Sequence, residues 1–193
     1  DKKNEKKAET DALIASATRG YALKVVDEET LSSSIVMLDL RSAKQIKTSS
    51  LDTIKGRRIY ETGDNILAIA GSSSGNGVVS LVLINQRSLE VVKQGNDEIS
   101  ESSVLVKDGD YYYAIVSSGG KYYVGKFNEE LTRQALSSIS VSKYTPITVT
   151  EQGLLVQDVS KKIYLLDKNS LKDVMEDRKS YTSFKNEAND ENK

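Results

Sequence analysis

VSLVLINQRSLEVVK (79–93) has a counterpart, KKIYLLDKNSLKDVM (161–175), when the two are aligned on Asn85 and Asp167, 82 residues apart. Each has an apolar strand, an Asx residue, a polar turn, Ser-Leu and a second short strand. Half that spacing, 41 residues, is a plausible length for one structural repeat. An intermediate copy, YYVGKFNEELTRQAL (122–136), carries Asn128 in the Asx position. An earlier one, SIVMLDLRSAKQIK (34–47), carries Asp39, so the column steps by 46, 43 and 39 residues.

A second column runs beside it. Gly20, Gly63, Gly109 and Gly153, in ATRGYAL, ETGDNIL, KDGDYYY and TEQGLLV, are separated by 43, 46 and 44 residues. Each follows a short apolar segment (DALIASA, RRIYE, SSVLV, TPITV) and leads into another strand (YALKVV, NILAIA, YYYAIVS, LLVQDV). Glycine suits a hairpin turn because it reaches positive φ without steric cost. The Asx column has a separate reason: a short acceptor side chain after a strand binds the N–H groups of the turn.

Four short antiparallel strands in ~40–45 residues are the signature of a propeller blade. The segments alternate and are β-branched, without the i, i+3, i+4 spacing of helical repeats. The expected fold is therefore all-β, a β-propeller-like array of about four four-stranded antiparallel blades over 11–54, 55–99, 100–142 and 143–176. Residues 1–10 are expected as a disordered charged leader and 177–193 as a disordered polar tail. VLINQRSLEVV and YLLDKNSLKDV, with a weaker VMLDLRSAKQI, resemble the YVTN/YncE-like class of bacterial β-propeller repeats. VGKFNEELTRQA departs by one deletion and lacks the Ser before Leu131. The resemblance covers about residues 11 to 176 and implies a fold rather than a role. A charged leader before a small propeller-like module also resembles, in arrangement rather than in motif, the C-terminal part of spirochaete antigens of the p83/100 type. Four blades raise a question of closure. DALIASA or a tail segment is expected to close the ring, unless a homodimer or a larger polypeptide completes it.

Composition narrows the chemistry. Histidine and cysteine are both absent from the 193 residues, which removes thiol nucleophiles, disulfides, imidazole or thiolate zinc sites and His-based triads. The net charge of −1 gives no basic field for nucleic acid, and no run reaches the ~20 apolar residues of a membrane-spanning helix. The Met-less start DKKNEKKAET suits a mature exported chain or a trimmed one.

Asp108 and Asp110 in KDGD suggest a calcium loop, but no third carboxylate or distal Glu follows, so a hairpin turn is expected and no metal. Tyr111, Tyr112, Tyr113, Tyr122 and Tyr123 lie on two adjacent strands joined by SSGG. They are the ligand-binding candidates, as a stacking platform, against inter-blade packing as the expected role. GSSSGNG (71–77) lacks the Gly-Lys-Ser/Thr end of a phosphate loop and is expected as a mobile hairpin loop. KGRR (55–58) with Lys44 and Lys47 is too narrow for nucleic acid. Glu28, Glu29, Glu129 and Glu130 sit in turns, and TLSSS has no base beside it.

The expected function is a non-catalytic binding or scaffold module that engages a protein partner through rim loops or a blade edge. No catalytic residues, cofactors, nucleic acid or transmembrane segment are expected. The location would be extracytoplasmic, periplasmic or at the cell surface. The alternative is a sugar-active or hydrolytic propeller enzyme using Asp, Glu and Tyr.

Overall fold

The computed structural model describes residues 2–71 and 77–174. One helix precedes fourteen strands, and every strand pairing is antiparallel. Two compact units divide between Asn96 and Asp97.

The first unit opens with helix α1 (Lys2–Ser16). This corrects the expectation of a strand at DALIASA, and residues expected as a charged leader belong to the same helix. The physical cause is composition: Lys, Glu and Ala dominate from Lys2 to Ala8, and helix-forming Ala and Leu continue the run. Ile14 is the helix's buried residue and enters the unit's core. Arg41 Nη2 caps the last turn by donating to Ser16 O at 2.7 Å.

Seven strands follow: β1 (Arg19–Asp27), β2 (Ser32–Asp39), β3 (Lys44–Thr48), β4 (Ile54–Thr62), β5 (Asn65–Ala70), β6 (Ser80–Asn85) and β7 (Val91–Gln94). They divide into two consecutive arrays, β1-β2-β3 and β4-β5-β6-β7, joined by the single pairing Ser33↔Ile54. Strands β2, β5 and β6 are almost wholly buried, which explains their continuous apolar runs. The core gathers Ile35, Met37, Ile54, Ile66, Val82 and Ile84.

The second unit holds two sheets. One is β8 (Val106–Asp108), β9 (Tyr111–Ser118), β10 (Lys121–Phe127) and β11 (Arg133–Leu136), hydrogen-bonded in the order 11-10-9-8. The other is β12 (Thr148–Val149), β13 (Leu154–Gln157) and β14 (Ile163–Leu166), extended by the isolated bridge Leu166↔Asp173. Tyr113, Ile115, Val124, Val156, Leu166 and Leu171 form its core. The first and last arrays thus have three strands where four were expected. In the first, helix α1 takes the place of a strand, and in the last the outer pairing shrinks to one bridge.

The glycine column resolves into three different situations. Gly63 and Gly109 sit in hairpin turns at φ 54° and 57°. Gly153 passes so close to β14 that a Cβ would lie 2.3 Å from Leu166 O. Gly20 is not in a turn, which corrects its place in the column. It pairs with Leu38 inside β1, and a Cβ there would lie 2.5 Å from Leu40 Cδ2, so a larger residue would have to push the exposed Leu40 side chain aside. Within KGRR, Lys55 stays paired and the following residues form an irregularity in β4, because residues 56–59 lie between the pairings Lys55↔Ile69 and Tyr60↔Leu67.

Candidate functional site: two tyrosine clamps at the rim

The four Asx residues end strands and organise the turns behind them. Asn85 Oδ1 accepts from the N–H of Arg87 and of Ser88, both at 2.9 Å. Asn128 Oδ1 accepts from Glu130 (3.1 Å) and Thr132 (2.9 Å), and Asp167 Oδ1 from Asn169 (3.0 Å) and Ser170 (2.7 Å). Asp39 Oδ1 accepts from Arg41 at 3.3 Å and reaches across to Thr18 at 3.2 Å. Each turn then forces a residue to positive φ: Ala43, Leu89, Leu131 and Leu171, between 55° and 60°. A left-handed leucine is strained. Burial offsets the strain at Leu89, Leu131 and Leu171, whereas Ala43 stays exposed. Asp27 and Asp158 make similar bonds in the turns of Leu31 and Lys161, which lie outside the Asx column.

A second device was invisible in sequence. Buried hydroxyls replace strand pairing at the sheet ends: Ser49 Oγ accepts from Ile35 N at 2.9 Å and donates to Leu51 O at 2.6 Å. Ser137 does the same between Val124 N (3.0 Å) and Ile139 O (2.7 Å). Ser103 and Thr145 bridge Ile115 N to Val104 O and Gln157 N to Pro146 O. A seryl side chain can do this because it both donates and accepts.

The tyrosine hairpin is β9 and β10, turned by Gly119 and Gly120 at φ 57° and 74° between paired Ser118 and Lys121. Two consecutive positive-φ residues make the turn whose twist matches the strands. The five tyrosines do not share one exposed face. Tyr112 and Tyr113 are 1% exposed, Tyr122 and Tyr123 half-buried, and Tyr111 is 38% exposed at the strand's start. Tyr113 belongs to the core, with Tyr122 packed against it.

Around Tyr113 the rim is closed by internal partners. Its hydroxyl donates to Lys168 O at 3.2 Å. Beside it on β10, Lys126 is 5% exposed, with Nζ 3.8 Å from the Tyr111 ring centroid and donating to Asn169 Oδ1 at 3.2 Å. The ring face and amide oxygen offset the loss of water around this ammonium. Lys168 Nζ pairs with Asp108 Oδ2 at 2.9 Å. Burial, reinforced by the Asp108 charge, pushes the Tyr113 hydroxyl up to about 12. Asp167 is held below the usual carboxylate range, first by the Ser170 N–H and hydroxyl and last by the Lys126 charge.

The first unit repeats the clamp. Tyr21 OH donates to Gln86 O at 3.0 Å, and Gln86 follows Asn85 as Lys168 follows Asp167. Tyr21 pairs with Met37 where Tyr113 pairs with Lys126. Arg19 stands two residues before Tyr21 as Tyr111 stands before Tyr113, and Arg87 occupies the turn position of Asn169.

The remaining candidates scatter. Asp108 is spent on Lys168, and among the described residues no group of three His, Cys, Asp or Glu side chains could hold a metal. Lys55 Nζ is tied to Thr30 O (2.7 Å) and Ser32 Oγ (2.8 Å), and Arg58 lies 6.0 Å from the Tyr60 ring. Lys44 and Lys47 lie on β3, Glu28 and Glu29 in the turn of Asp27, and Glu129 and Glu130 in that of Asn128. The serines of TLSSS are buried in β2. Residues 72–76 of GSSSGNG and the tail 177–193 lie outside the described residues.

No curated protein sequence matches the chain. One solved structure similar to it is BamB from Moraxella catarrhalis, at 16% identity and a TM-score of 0.47, covering 73% of this chain and 40% of that one. The chain therefore spans well under two thirds of that protein. The model of the family described as Borrelia P83/100 protein matches residues 1–147, about three quarters of the sequence. The family shown is thus not the YVTN/YncE-like class that the repeat resembles: the chain belongs to the Borrelia P83/100 protein family.

Proposed function

We propose that this chain is a non-catalytic, propeller-type binding module that holds a protein partner along a strand edge, within a bacterial surface or periplasmic protein. Within each unit, consecutive antiparallel arrays pinned by Asx turns and buried hydroxyls supply a scaffold of the kind that carries variable contact surfaces. Membership of the P83/100 family supports the bacterial setting. No helix among the described residues is long and apolar enough to cross a membrane.

The observation that carries the proposal is β7. It ends the strand order of its sheet, pairs with β6, and exposes all four residues, with Val91 at 42% and Val92 at 57%. Edge strands recruit other strands through their main-chain N–H and C=O groups, and shortness and charge limit this; β7 has four residues and one lysine, so its apolar pair is what a partner would use. Two adjacent exposed valines suit strand addition, where main-chain bonds give affinity and alternate side chains give specificity. The test compares capture of envelope proteins by the wild type and by Val92→Lys, a substitution whose exposed site costs within about 0.5 kcal/mol of stability. A protein held by the wild type and lost by Val92→Lys is the expected result. Equal capture by both, or turnover of glycoside substrates by the purified chain, overturns the proposal.

A further inference from the structure

The first unit's clamp borders a cleft of about 240 Å³ lined by Arg19, Asp64, Asn85, Gln86 and Arg87. Three loops meet there: the start of β1, the β4–β5 turn and the Asn85 turn. Gln86 fixes them together. Its N–H donates to Asp64 O at 2.9 Å, its Nε2 to Gly63 O and Asn65 O, both at 3.1 Å, and its carbonyl accepts from Tyr21. The walls are therefore pre-organised. Arg19 Nη1 is buried and has no hydrogen-bond partner among the described residues. A guanidinium donor left so is costly, and buried donors in folded proteins almost always find an acceptor.

The second unit shows what satisfies the same place. There the Arg19 position is Tyr111, the Arg87 position is Asn169, and Lys126 bridges the two from inside. In the first unit the inward position is the uncharged Met37, and two cations stand at the rim instead. Asp64 supplies one negative charge to the cleft wall and Glu61 stands near Tyr21, so the two guanidiniums are balanced in formal charge and an anion would be held by the geometry of the arginine forks rather than by a net positive field.

We infer that the Arg19–Arg87 cleft is a binding site for a carboxylate, a function separate from partner capture at β7. A carboxylate offers planar acceptors that match a guanidinium fork, and Arg19 and Arg87 both line the cleft. The volume sets the size of the ligand. At about 240 Å³ the cleft lies below the ~300 Å³ at which drug-sized pockets begin, so it takes a carboxylate group and a few further atoms.

Calorimetric titration with glutarate, against sodium chloride at equal ionic strength, tests this. The wild type is expected to bind one equivalent saturably. Arg87→Gln, at an exposed position that leaves the fold intact, and Arg19→Gln should each weaken binding by at least about tenfold, the size of one charged hydrogen bond. A parallel titration with a blocked Ala-Glu-Ala peptide separates the sources. Tighter binding of the peptide assigns the site to an acidic side chain of a polypeptide, and equal or weaker binding to a free small acid. Heat no greater than that of chloride, or unchanged binding in both variants, overturns the inference.

Discussion

The two units solve one problem with different side chains. In each, a tyrosine in or against the core reaches across to the carbonyl of the residue after an Asx: Tyr21 to Gln86 in one, Tyr113 to Lys168 in the other. Behind Tyr113 stands a buried lysine with a ring and an amide to hold it. Behind Tyr21 stands Met37, wholly buried, with arginines at the rim. The frame is repeated while its polar contents are not. Main-chain carbonyls and Asx turns are available to any sequence with the right turn residues, whereas a buried charge survives only where every partner is supplied.

Exchanging the inner residues gives the largest effect. Met37→Lys places an ammonium at a fully buried site lacking Tyr111 and Asn169, and should cost ~3–5 kcal/mol, read as urea unfolding of the variant. The reverse change, Lys126→Met, should cost less, about 1 kcal/mol, because it removes a buried ammonium whose ring and hydrogen-bond partners, Tyr111 and Asn169 Oδ1, are neutral. A loss above ~3 kcal/mol for Lys126→Met would show that the lysine network contributes more than the comparison allows.

Next come the left-handed residues. Leu89→Ala and Leu171→Ala should each lose ~2–5 kcal/mol, because their burial offsets the strained turn. Ala43→Gly at the exposed equivalent should gain up to ~1 kcal/mol by relieving positive φ. Equal responses at all three positions would end the claim that burial holds the leucines.

The tyrosine clamp gives a smaller, pH-dependent effect. The folded pKa of Tyr113, raised to about 12, exceeds that of the unfolded side chain, 10.0. Its contribution is therefore complete below pH 10 and is lost as pH rises through about 12. Tyr113→Phe should cost ~1–3 kcal/mol at neutral pH by leaving Lys168 O without its donor, and should flatten that alkaline decline. The smallest effect lies at the acid end. Asp39 and Asp167 have folded pKa values below 3.8, so their contribution is present above that pH and fades as pH falls through the lowered values. Asp39→Asn and Asp167→Asn keep the acceptor oxygen and should reduce the acid sensitivity of melting without losing the turn.

Much of the frame was legible in the chain. The Asx positions follow apolar runs and precede Ser-Leu, and local chemistry alone dictates such turns. The β9–β10 hairpin was equally plain, since Gly-Gly after alternating residues leaves few other structures. The helix was misjudged because DALIASA reads equally as an apolar strand, and only the helix formers before it settle the matter. Gly20 matches the column by spacing, yet it lies inside β1, paired with Leu38, rather than in a turn. The clamps were hidden for another reason. Tyr21 and Gln86 are 65 residues apart and Tyr113 and Lys168 are 55, so no local pattern links them. Lys126 looked like any strand lysine until its burial was known.

The central claim is that one repeated frame is open in the first unit and internally closed in the second. A single amide-shift titration of the wild-type chain with glutarate reads both rims at once. The account predicts saturable shifts at Asp64 and at Asn85 to Arg87, with Asp167 to Asn169 unmoved. Equal shifts at both rims, or shifts confined to the second, would contradict it.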